Sequence, residues 1–314
     1  PKFHITEEMR RLSAPWSVSQ VRAEKIQAID LPAGVILDAA AGSGVQLIAL
    51  TTGLKRPGLA IELDPNIGLL CAANMQITGD EDDLQRTMDR VLIGDGTDAE
   101  NAIVAYWNSL REAGTRAHPP IGMLHLDPAR PRDAQRHEID EMEPALGPLL
   151  KAWANHLETG PRGPAILLDL SPRLNEGQRS LVDAVIETNF PGIRRTWEYL
   201  SQGGGRIDRL SVWIGSLSSK EPSRCVRMGK KKIMATIERK VAESELVSIS
   251  SPPPFGAHLT IVDPALVQSG LHEAWLDRAL PENAGHSWLR LEGRRPLLIS
   301  TDPLTRDDVI DAFV

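Results

Sequence analysis

Val35-Ile36-Leu37-Asp38-Ala39-Ala40-Ala41-Gly42-Ser43-Gly44 opens with three apolar residues, ends its first run in an acid, and then passes through small residues and two glycines. The apolar run 45–50 follows at once. Such an order reads as a buried parallel strand turning through a tight loop into a helix. In open α/β sheets that loop lies at the carboxyl end of a strand, where ligands bind. Without side chains at Gly42 and Gly44 a ligand can approach the backbone, and a helix amino terminus offers free N–H groups. The alternative is a strand-to-helix turn that holds no ligand.

Outward from this loop, strands and helices alternate. Strands are expected at 35–38, 59–62, 90–93, 121–127, 165–170, 193–200 and 209–214, with helices from 44 and over 65–77, 98–112, 143–157 and 178–188. Repeated βα units of this length imply a Rossmann-like α/β fold with a mostly parallel sheet. The last two strands are joined by the glycine-rich turn 201–205, so they should pair as a hairpin and leave the seventh strand antiparallel. Residues 1–30 read as an amino-terminal helical segment, with Ser17 or Ser19 as cap and Val18, Val21, Ile26 and Ile29 on one face.

The main α/β domain is then 31–217, followed by a basic connecting segment, 218–242, and a small α/β module, 243–314. Within 224–240 there are seven basic residues against one acid, Glu238, a net +6; residues 243–314 carry 11 acids and five bases, a net −6. The basic run reads equally as an RNA-contacting face or a solvated edge, since no aromatic residue interrupts it.

Composition narrows the function classes. The 314 residues are 41% hydrophobic and 25% charged, with a formal net charge of −7, which gives no global pull towards nucleic acid. Cys71 and Cys225 are the only cysteines and form no CxxC pattern, which excludes a disulfide framework and a cysteine-rich zinc site and suits a reducing cytoplasm. No metal site is expected. No apolar run approaches a membrane span and the amino terminus is not signal-like, so no membrane association is expected.

The loop itself separates nucleotide classes. A dinucleotide fingerprint needs a third glycine at position 47, where Leu47 stands, and no GK[ST] follows to make a phosphate-binding P-loop. Glu62 closes the second expected strand 18 residues after Gly44, where an acid can accept both ribose hydroxyls of an adenosine or can instead cap a loop. Asp64-Pro65 reads as the cap and first turn of the next helix. Asp95, in Ile93-Gly94-Asp95-Gly96, is a ligand-contacting or a plain turn aspartate. His125 belongs to a packed strand. The acids Asp140, Glu141 and Glu143 read as a negative first helical turn. Arg130, Arg132, Arg136 and His137 form a basic loop, either a phosphate contact or solvated.

The D-x-x-x-G-x-G loop, Glu62-Leu63-Asp64-Pro65 and Asp127-Pro128-Ala129-Arg130 together resemble class I S-adenosyl-L-methionine (SAM) methyltransferases with a carboxy-terminal THUMP-like domain. The resemblance extends through Trp197-Glu198-Tyr199-Leu200, Trp213-Ile214-Gly215 and Val262-Asp263-Pro264-Ala265 to Gly270-Leu271. It implies the seven-stranded methyltransferase sheet, SAM as cofactor, and Asp38, Ala40, Gly42, Gly44, Glu62, Leu63, Asp95 and Gly96 as its binding residues. The resemblance itself names no substrate; the leading expectation is methyl transfer to an RNA nitrogen or oxygen, with Asp127 orienting or deprotonating the acceptor and Arg130 on substrate charge. Ala129 and Arg130 depart from the [DN]PP[YFW] motif of amino-methyltransferases, and Pro131 replaces the second arginine of a DPARR motif. Leu168-Asp169-Leu170-Ser171-Pro172 lacks the cysteine that carbon-5 uridine methylation needs. The competing readings are a non-catalytic SAM- or RNA-binding module and an NAD-dependent oxidoreductase.

Overall fold

The computed structural model describes residues 2–7, 9, 14–78, 84–129, 141–239, 252–289 and 295–314. The chain forms two compact units: residues 1–195 with 213–218, and residues 196–212 with 219–314.

The first unit is a doubly wound, Rossmann-like α/β fold. Its strands are β1 (Val35–Asp38), β2 (Gly58–Glu62), β3 (Arg90–Ile93), β4 (Ile121–Leu126) and β6 (Gly163–Leu170), with a two-residue strand β5 (Thr159–Gly160) antiparallel to the start of β6. The order is β6-β4-β1-β2-β3, and every neighbouring pair is parallel. The order reverses between β1 and β4, which makes the carboxyl ends of these two strands the topological switch point. Burial on both faces explains why β1 up to Leu37 and β4 up to Leu124 carry no alternating polar residues.

The helices are α1 (Trp16–Gln27), α2 (Val45–Leu54), α3 (Pro65–Ile77), α4 (Ala99–Glu112), α5 (Leu146–Trp153) and α6 (Glu176–Asn189). Asp64 caps α3 through the N–H groups of Asn66 and Ile67, with Pro65 in its first turn, as expected. Helix α1 is capped differently from expectation. Pro15 occupies the N-cap, and Ser17 and Ser19 lie inside the helix; Val18, Val21 and Ile26 are buried. Helix α5 begins at Leu146, three residues beyond the expected start at 143, because Glu143 is drawn into a bridge with Ala129, N–H to O at 2.9 Å in both directions. Glu141 and Glu143 are therefore not its first turn, and Asp140 lies outside the described residues.

One face of this sheet packs Ile36, Ala60, Met123, Ala165 and Leu167 against Ile26 of α1, Leu47, Ile48 and Leu50 of α2 and Met75 of α3. Each fully buried Leu or Ile contributes about 1.5–3 kcal/mol. The same face continues two residues onward as Asp38, Glu62, His125 and Asp169, because side chains repeat every second residue along a strand. The apolar core thus ends in a row of polar groups at the carboxyl ends of four strands.

The second unit holds β7 (Arg195–Ser201), the start of β8 (Arg209–Gly215), β9 (Ser223–Met228) and β10 (Ile233–Arg239). Strand β7 pairs parallel with β9, and β9 pairs antiparallel with β10. The segment expected as a basic connection is therefore mostly a hairpin. Arg224 is buried within it, paired with Glu198 at 2.7 Å and Glu238 at 3.1 Å, so the run of charge is not one solvent face. Residues 252–314 add the sheet β11 (His258–Ile261), β13 (Leu297–Ser300) and β12 (His286–Leu289), in that order and antiparallel. Helices α7 (Pro264–Gln268), α8 (His272–Ala279) and α9 (Asp308–Ala312) accompany it. No helix among the described residues is long and apolar enough to cross a membrane.

Candidate functional site

The strand ends β1, β2, β3 and β4 bring Asp38, Ala40, Gly42, Gly44, Glu62, Leu63, Asp95, Gly96 and Asp127 to one edge of the sheet. Arg130, Arg132, Arg136 and His137 lie outside the described residues.

Within the 38–44 loop, most backbone donors are spent internally. Ala39 N–H bonds the His125 carbonyl (3.3 Å), Ala41 N–H the Ile61 carbonyl (3.0 Å) and Gly44 N–H the Ala41 carbonyl (2.8 Å). Ala40 N–H reaches Asp38 Oδ1 (3.3 Å), and Gly42 N–H reaches Glu62 Oε2 (2.8 Å). The loop is therefore not an open cradle of amides; the orphan donors left are those of the first turn of α2, whose N-cap, Gly44, supplies no side-chain acceptor. Gly44 has φ 75°, and a Cβ there would lie 2.7 Å from Cys71 Sγ. Gly42, at φ 52°, faces open space. Leu47, at the place of a dinucleotide-type third glycine, is fully buried in the core.

Glu62 is held from both sides, since its Oε1 also accepts the Asp64 N–H at 3.0 Å. A carboxylate offers about four acceptor positions; two are used, and two remain for a pair of hydroxyls. Beside it, Leu63 and Ile93 are large apolar side chains left 72% and 52% exposed at the strand ends. Asp95 Oδ1 accepts both the N–H and the Oγ1–H of Thr97, each at 2.8 Å, so it does build a turn. Gly96 sits where a Cβ would come 2.1 Å from the Ala39 carbonyl oxygen, and its own carbonyl accepts Trp153 Nε1–H at 2.7 Å. Gly96 therefore lets the loops after β1 and β3 touch.

Asp38 faces inward. It is 2% exposed, and its Oδ2 lies 2.8 Å from His125 Nδ1, its direct neighbour in the β1–β4 register. His125 Nε2 lies 3.3 Å from Asp169 Oδ2 on β6, and Asp169 takes both guanidinium nitrogens of Arg22 at 2.6 Å. Burial works against charge on His125, but Asp38 and Asp169 outweigh it and push its pKa to about 10. Burial likewise opposes the Asp169 carboxylate, and Arg22 and His125 overcome it, holding that group well below its usual range. Two cations and two carboxylates thus form one neutral buried cluster behind the loop.

His125 was expected in a packed strand, and that is where it lies. Asp169 and Arg22 were not singled out. An acid inside the apolar run Ile166-Leu167-Leu168-Asp169-Leu170 was the available signal, because a buried carboxylate requires a cation. The raised His125 pKa gives a definite pH dependence: its stabilisation is complete below its ordinary value of 6.5 and is lost as pH climbs towards 10. Denaturation midpoints of the wild type should fall between pH 7 and 10 more steeply than those of His125→Gln; equal slopes would contradict the charged cluster.

No protein-family model matches the chain, and no curated protein matches it. Among solved structures, a putative class I SAM-dependent methyltransferase from Listeria monocytogenes is similar at 15% identity and a TM-score of 0.42, over 74% of this chain and 67% of that one. A precorrin-6y C5,15-methyltransferase from Geobacter metallireducens aligns at 13% identity and 0.40, over 68% and 92%. An O-methyltransferase from Bacillus cereus in complex with SAH aligns at 14% and 0.37, over 68% and 84%. At these scores the likenesses carry no argument, and the functional reading rests on the residues.

Proposed function

We propose that the chain is a SAM-dependent methyltransferase. The observation that carries this reading is Glu62, fixed by Gly42 and Asp64 with two acceptor positions free, beside the exposed apolar side chains of Leu63 and Ile93. A ribose diol fits the carboxylate and an adenine ring fits the apolar pair, so the residues present suit the adenosine half of SAM. Asp95 Oδ2 stands at the same edge to accept an amino hydrogen. The glycine loop passes behind the ligand, with the open side of Gly42 giving room.

Internal use of the loop amides and the buried Leu47 count against a pyrophosphate, and hence against the NAD-dependent reading. SAM carries no phosphate, and its sulfonium charge is favoured near Glu62, Asp95 and Asp127. When bound, SAM supplies an activated methyl group. This chain's residues then position the acceptor for in-line displacement. Asp127, directly after β4 at the switch point, is the group to orient the acceptor or take its proton.

An RNA nitrogen or oxygen is the acceptor class proposed, with Arg130 on substrate charge. Its support is the Asp127-Pro128-Ala129-Arg130 motif and the exposed Lys230, Lys231 and Lys232. The reading of 243–314 as THUMP-like belongs to the same proposal and rests on the sequence segments that suggested it. The test is tritiated-methyl transfer from SAM to total RNA, total protein and a small-molecule extract in parallel. We expect labelled RNA with the wild type and at least a hundredfold less with Asp127→Ala. Labelled protein or small molecules would replace the acceptor, and no transfer despite SAM binding would leave the non-catalytic module.

A further inference from the structure

The second unit holds a cleft that the proposed reaction does not use. The turn after β7 contains three successive glycines in the left-handed region, Gly203, Gly204 and Gly205, at φ 91°, 77° and 80°. A guanidinium lies against each outer glycine. A Cβ on Gly203 would be 2.3 Å from Arg227 Nη2, and one on Gly205 would be 2.3 Å from Arg295 Nε. Gly204 faces open space. Residues two apart are separated by at most about 7 Å, so the two guanidiniums flank one opening. Asp263 lines it as well.

Its donors are not all paired internally. Arg227 Nε donates to the Ala312 carbonyl at 2.8 Å and lies 3.8 Å from Asp263 Oδ2, but its Nη1 is buried without a hydrogen-bond partner. Asp263 is already occupied by the Ser201 hydroxyl at 2.6 Å and the Ala265 N–H at 2.9 Å. Arg295 is exposed and forms no ion pair among the described residues. Arg227 Nη1 is thus a buried charged donor without an acceptor, which is unfavourable.

We infer that this cleft binds a phosphate group, held by Arg227 Nη1 on one side and the Arg295 guanidinium on the other. A carboxylate lies in one plane and satisfies one guanidinium fork, whereas a tetrahedral phosphate presents oxygens to both sides at about 2.8 Å per bond. Inorganic phosphate and an oligonucleotide phosphate offer the same chemistry. This inference does not depend on SAM binding at the other unit.

The full chain is titrated calorimetrically at low salt with inorganic phosphate and with a short RNA oligonucleotide carrying either a 5′-phosphate or a 5′-hydroxyl. Saturable phosphate binding is expected, weakened at least tenfold in Arg295→Gln while the ligand-free melting temperature stays unchanged. Lys220→Gln removes the same charge from an exposed site in the same unit and should leave affinity within twofold. Arginine-dependent binding of the 5′-phosphorylated RNA alone assigns a terminal phosphate, equal binding of both RNAs a backbone phosphate, and binding of neither a free ion. Absence of saturable binding, equal losses in the two variants, or ligand binding indifferent to Arg295→Gln would overturn the inference.

Discussion

Replacing Asp169 by alanine should lower the melting temperature by about 10 °C. The substitution leaves Arg22 and the His125 imidazolium buried with one carboxylate of the cluster, Asp38, which pairs with His125. Removing one partner from a buried ion pair costs about 3–5 kcal/mol, and a domain of this size loses about 2–4 °C per kcal/mol. The loss comes from the stranded cations, so it should be largely recovered when Arg22→Met is combined with Asp169→Leu, which replaces the pair by apolar volume. Asp169→Asn, which keeps the shape and one acceptor oxygen, should fall between. Differential scanning calorimetry of the four proteins tests the series. A change below about 2 °C in Asp169→Ala, or a double variant no better than the single, would remove the cluster from the account of stability.

Glu62→Ala should reduce SAH affinity by about a hundredfold or more without unfolding the chain. Hydrogen bonds to a charged group contribute about 1.5–3 kcal/mol each, and two ribose hydroxyls are expected on this carboxylate. Glu62 is only partly buried and ends its strand, so its removal opens no core cavity. It does release the Gly42 N–H, and the loop should become more mobile. Glu62→Gln, with one acceptor oxygen left, should lose less. Titration calorimetry with SAH, and with NADH in parallel, separates the readings. An affinity for SAH within threefold of the wild type would remove Glu62 from the site, and NADH binding without SAH binding would restore the oxidoreductase reading.

Much of the first unit could be read from the chain because its signals are local. The helix Pro65–Ile77 matches expectation residue for residue, since Asp64 and Pro65 specify its start through backbone chemistry alone. Strands β1 and β3 likewise match, being short apolar runs bounded by turn residues. What escaped were pairings over long sequence distance. Nothing near Glu143 announces that its backbone will bridge to Ala129, and nothing near Arg224 announces the acids that internalise it. The same limit applies at the site. Asp38 was read as a ligand contact from its motif, but its carboxylate is turned to His125, 87 residues away. In the proposed SAM site its place is therefore as a support for the loop.

The division of the chain has a practical consequence for anyone cutting it. Residues 196–212 belong to the second unit although 213–218 return to the first, so the polypeptide crosses from one to the other three times. A fragment ending at residue 217 would retain β7 without β9, the strand it pairs with, and one starting at 219 would retain β9 without β7. The first piece carries residues 196–212 of the other unit, and the second lacks those residues of its own. Protease or truncation experiments should therefore yield insoluble halves rather than two separable domains, and the two ends of the molecule have to be studied on one intact chain.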